Sequence, residues 1–79
     1  MSYGYSARLI KTNAEADASR LGIALGRACI ALDIPVTNIS ERLGVSKQTV
    51  YNWFMGSYDP HPSFTEAIHS MLATLQPQK

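Results

Sequence analysis

Residues 36–56 read VTNISERLGVSKQTVYNWFMG, and the fold turns on this stretch. Ile39 and Leu43 stand at i and i+4 with the small Ser40 between them, so a helix over about residues 37–43 buries one face. Gly44 follows at once. Glycine takes positive φ without a steric penalty, so it ends a helix and turns the chain. Val45 is an apolar plug for the corner, and Ser46 is a good N-cap because its hydroxyl accepts from an orphan backbone N–H. A second helix is predicted over about residues 47–55, closed by Gly56. At about 100° per residue Val50 and Trp53 share one side of it, while Lys47, Gln48, Tyr51, Asn52 and Met55 line the other. One face packs, with Trp53 at the centre of the core. The other offers hydrogen-bonding groups, as does a helix that enters a major groove.

Working outward, Asn13 reads as an N-cap, with Glu15 and Asp17 near the positive end of a helix that continues to about residue 32. Leu21, Leu25, Ala28 and Leu32 form its core stripe. Asp33-Ile34-Pro35 breaks it, because the residue before proline is pushed out of the α region, and Ile34 is expected to tuck into the core. Residues 1–12, MSYGYSARLIKT, read as an arm with Tyr3, Tyr5, Arg8 and Lys11. Such an arm either reaches a DNA backbone or groove, or packs Leu9 and Ile10 on the body. After Gly56, two prolines stiffen the loop over residues 57–62. Ser63 and Glu66 have capping-box spacing, and Phe64, Ile68, Met71, Leu72 and Leu75 give the last helix one apolar face. Pro77 closes the fold, leaving residues 77–79 as a disordered tail. The expected architecture is all-α: a compact four-helix domain over residues 13–76.

The composition suits one small domain. The chain has 79 residues, 46% of them hydrophobic and 16% charged, and a net charge of +1. A charged fraction below the usual value of about 25% marks a globular chain. Near-neutrality means that any affinity for nucleic acid rests on where the cations lie, not on how many there are. Cys29 is the single cysteine, so no intramolecular disulfide forms, and it reads as a small buried apolar residue in a reducing compartment. No stretch has the length of a membrane span, and the N-terminal residues lack a secretory pattern. His61 and His69 have no partners at metal-ligand spacing. No catalytic motif or phosphate loop is recognisable, so neither enzymatic activity nor a cofactor or small-molecule ligand is expected.

Residues 36–56 resemble the helix-turn-helix of the phage Cro/cI repressor and XRE-like DNA-binding family. The resemblance rests on Ile39, Ser40, Leu43, Gly44, Val45, Val50 and Trp53, with Gly56 and Pro60 matching the family's ending to its recognition helix. It extends more loosely over residues 21–75. Val36 stands where the family often has a phosphate-contacting Gln, and Cys29 where it often has Arg. The resemblance implies a lambda-repressor-like fold and a small transcriptional repressor in the cytoplasm or nucleoid of a bacterial host. Such a repressor acts as a homodimer that occludes a palindromic operator on double-stranded DNA.

On that reading Lys47, Gln48, Tyr51 and Asn52 read bases, with Gln48 suited to adenine and Lys47 to guanine. Thr37, Asn38, Ser57 and Tyr58 donate to phosphates, and Arg8, Lys11 and Arg20 supply charge. Ile23 and Ile30 are expected to project from the helix over residues 14–32 opposite its core stripe, with Gly22 and Gly26 leaving the surface low for a second copy. The competing dimer surface is the last helix, through Met71 and Leu75. Two other functions stay open: a protein-interaction module that keeps the fold without binding DNA, and an antitoxin or excision factor.

Overall fold

A computed structural model describes residues 5–75. The proposed roles of Tyr3 and of the tail over residues 77–79 fall outside them. The described chain is a compact all-α globule of five α-helices, without strands: α1 Ala7–Glu15, α2 Leu21–Ala31, α3 Val36–Leu43, α4 Lys47–Met55 and α5 Thr65–Leu75. A 3-10 turn, Pro62–Phe64, leads into α5. No helix among the described residues is long and apolar enough to cross a membrane.

The expected four helices become five because the N-terminal part folds. Ser6 accepts a hydrogen bond from the Leu9 N–H at 3.1 Å and starts α1. The boundary expected between residues 12 and 13 therefore falls inside a helix. Asn13 is not an N-cap; it lies in the last turn of α1 with 2% of its surface exposed. Arg27 closes α1 by donating to the carbonyls of Asn13, Ala14 and Ala16 at 2.8, 3.2 and 3.2 Å. A cation at this end also opposes the helix dipole. Asp17 then makes the break: its carboxylate accepts from the Ser19 N–H and hydroxyl at 2.9 and 2.8 Å, which holds its carboxyl below the usual range.

The buried face of α2 differs from the expected stripe. Leu25 is buried, but Leu32 is 43% exposed at the helix end and Ile23 is fully buried. Leu21, Leu25, Ala28 and Leu32 mark one edge of a broad arc and Ile23 and Ile30 the other, with Gly22, Gly26 and Cys29 between. The glycines admit α4. A Cβ on Gly22 would lie 2.9 Å from the Trp53 carbonyl oxygen, and one on Gly26 2.7 Å from Phe54 Cγ. Phe54 and Val50 are fully buried against this face and Trp53 nearly so. Each such side chain contributes roughly 1.5–3 kcal/mol through burial. Tyr5 stacks near Phe54 with ring centroids 6.1 Å apart, and Trp53 meets Phe64 at 5.6 Å.

Three helices end in the same way. Asp33, Gly44 and Gly56 hold positive φ of 55°, 69° and 83°. The next residue's N–H returns to a carbonyl five positions back: Ile34 to Cys29, Val45 to Ser40 and Ser57 to Asn52. Ile34 packs against the core, and its carbonyl accepts from the Tyr5 hydroxyl. The capping box expected at Ser63 is replaced. Ser63 lies in the 3-10 turn, and His61 Nδ1 accepts from its N–H at 3.0 Å.

Candidate nucleic-acid interface

The α3–turn–α4 segment follows from local chemistry. Gly44 takes the left-handed conformation, Val45 turns inward, and Ser46 accepts from the Thr49 N–H at 3.1 Å to start α4. The Ser46 and Thr49 hydroxyls share a further hydrogen bond at 2.9 Å. Val50, Trp53 and Phe54 hold α4 to the core, which turns Lys47 and Gln48 into solvent and leaves Tyr51, Asn52 and Met55 half-buried. The Gln48 side-chain amide donates to Asn52 Oδ1 at 3.1 Å, one turn along. That bond orders both amides yet leaves the Gln48 carbonyl and the Asn52 amino group free to meet a base edge.

Around this face, Asn38 is exposed and Thr37 half-buried at the start of α3, whose N-cap Pro35 offers no side-chain acceptor. Ser57 and Tyr58 are exposed just past α4, Tyr58 to 66%. Arg8 and Lys11 are exposed on α1. Arg20 is otherwise engaged: Asp59 Oδ1 receives two of its guanidinium nitrogens at 2.8 and 2.9 Å. The pair is exposed to solvent, so it engages Arg20 without burying its charge. Comparison of the chain with protein-family models, curated proteins and solved structures returns no match.

Of the residues expected at a dimer surface on α2, Ile23 and Gly26 are interior. The Asn13 amide donates to the Ile23 carbonyl, and Asn13 and Phe54 leave no room for a Cβ at Gly26. Ile30 is half-buried against the core. Gly26 supports close packing within one chain, and α1 helps to cover the face. At the other end of the molecule Met71 and Leu75 border a groove of about 390 Å³ between α3 and α5, rimmed by Asn38, Glu41 and Arg42.

Sequence reasoning named Arg8 and Lys11 as cations but did not set them on a helix beside α4. Ser6, Arg8 and Thr12 border a cleft of about 640 Å³ whose other wall is Gln48, Tyr51, Met55 and Ser57. The available signal was Ser6 followed by a run of helix formers with Leu9 and Asn13 at i and i+4. Two buried groups beneath this region have displaced pKa values. Burial pushes the Cys29 thiol up to about 12 and raises the Tyr5 phenol well above its ordinary value. Both stay neutral, in keeping with packing roles. Among the described residues no group of three or more His, Cys, Asp or Glu side chains converges.

Proposed function

We propose that this chain is a sequence-specific DNA-binding protein with a lambda-repressor-like helix-turn-helix fold, a small repressor of the Cro/cI and XRE-like kind. The supporting observation is α4 itself. Three aromatic or branched side chains anchor its inner face, while Lys47, Gln48, Tyr51 and Asn52 occupy the outer one. The αL closure at Gly44 and the Ser46 cap set α4 against α3, as the family resemblance of residues 36–56 implies. In this reading Lys47 and Gln48 touch base edges, Tyr51 and Asn52 follow one turn on, and Thr37, Asn38, Ser57 and Tyr58 meet phosphates. A two-fold dimer on a palindromic operator would block polymerase. With the α2 face interior, the groove bordered by Met71 and Leu75 is the surface that suits such a dimer.

The test is selection of bound duplexes from a random-sequence pool, followed by sequencing. A recurring motif with two-fold symmetry is the expected result. Retention of DNA without any enriched motif would refute sequence-specific recognition. The net charge of +1 and the Arg20–Asp59 pair favour a second reading, a protein-interaction module of the same fold, for which no duplex would be retained.

A further inference from the structure

We propose that α1 and α4 form one binding surface, in which the cleft between them seats the sugar-phosphate backbone beside the groove that α4 enters. This inference rests on the DNA-binding reading and adds a second wall to it. Arg8 and Thr12 on α1 face Gln48, Tyr51 and Ser57 across the cleft. Leu9 and Met55 supply its apolar lining. The lining carries a guanidinium and several hydroxyls but no carboxylate, so it complements a phosphodiester. Glu15 lies nearly two turns from Arg8 and about one turn beyond Thr12 on α1, outside the lining. Arg8 is exposed and makes no ion pair among the described residues, unlike Arg20, which Asp59 holds.

The wall is rigid. Ser6 caps α1 at one end and Arg27 at the other. Leu9 is buried, and the Asn13 amide ties α1 to the Phe54 carbonyl at 2.8 Å, near the end of α4. The backbone of α1 is therefore held at a fixed offset from α4, so that side chains rather than the helix have to be ordered when a ligand enters. The geometry also divides the work. Gln48, on α4, reads bases, whereas Arg8 adds affinity that is indifferent to sequence.

Because phosphate contacts ignore sequence, a mixed-sequence DNA duplex is the appropriate probe. Its binding to the full chain is followed by fluorescence anisotropy over a salt series. Arg8→Ala is expected to lower the slope of log K against log salt by about 0.9, and to weaken binding about threefold to tenfold at low salt. Thr12→Val, which removes a donor without changing shape, weakens binding less. Arg42→Ala makes the same charge change in α3, beside the other groove, and is expected to leave most of the slope intact. A thermal melt establishes that each variant is folded. An unchanged slope in Arg8→Ala, an equal loss in Arg42→Ala, or tighter binding in Arg8→Ala would each overturn the cleft as a backbone seat. In the last case α1 shields α4. Wild-type chain that shows no salt-dependent binding would overturn the DNA reading along with it.

Discussion

Asn13→Asp isolates the contact that locks α1 onto α4. The Asn13 amide nitrogen donates to the Phe54 carbonyl at 2.8 Å and to the Ile23 carbonyl at 3.2 Å, with 2% of the residue exposed. Two carbonyl neighbours dictate the amide orientation, since only the NH₂ group can face them. Phe54 is in the last turn of α4, where a carbonyl has no helical partner of its own, so the loss is uncompensated. Aspartate keeps the shape and removes both donors. Two hydrogen bonds are worth about 0.5–1.5 kcal/mol each, and a buried acceptor left bare costs about 1–3 kcal/mol. An ionised carboxylate facing two carbonyl oxygens adds repulsion. We expect a loss of about 3–5 kcal/mol at neutral pH. A domain of this length has roughly 4–12 kcal/mol in all.

The pH dependence identifies the cause. Burial and the two carbonyls raise the folded pKa of the introduced carboxyl above its unfolded value near 4. The deficit relative to wild type is therefore smallest below about pH 4, where the protonated acid can donate one hydrogen bond, and it grows as pH rises through the folded pKa. Asn13→Ala, by contrast, should lose about 2–4 kcal/mol with no such trend. Urea unfolding followed by circular dichroism at stepped pH measures both. An Asn13→Asp variant within about 0.5 kcal/mol of wild type at neutral pH, or a deficit that is flat with pH, would refute the two-carbonyl tie.

Gly44→Ala should cost about 1–2 kcal/mol from backbone conformation alone, because φ is 69° and open space surrounds the position; an unchanged urea midpoint would contradict this. Gly22→Ala meets the α4 backbone instead, so about 1–3 kcal/mol of overpacking outweighs the helix-propensity gain of alanine. A more stable variant in a thermal melt would show that α4 yields. Cys29, fully buried with its thiol pushed up to about 12, should react with a thiol reagent only as the chain opens, so native labelling as fast as in urea would be incompatible with its burial. Gln48→Ala should relax preference at one operator position by about 1–3 kcal/mol; identical selected motifs for variant and wild type would remove Gln48 from base readout.

Residues 36–56 were legible because each of their determinants is local. Gly44 and Gly56 fix the helix ends, Ser46 caps α4, and the period of Val50 and Trp53 separates its faces within a few residues of chain. The placement of Lys47 and Gln48 toward solvent follows directly, whereas Tyr51 and Asn52 are half-buried and Tyr51 packs against the core. The fate of Asn13 was not legible. A short amide is a good N-cap by propensity, and only the carbonyls of Ile23 and Phe54, 10 and 41 positions away, make it a buried donor. Gly22 and Gly26 carry no apolar side chain to signal a core face, so the packed surface of α2 read as two unrelated stripes. The partner of Arg20, Asp59, stands 39 positions on and was not legible either. Backbone preference is written in neighbouring residues, whereas close approach and the partner of a polar group depend on which distant segments the fold brings together.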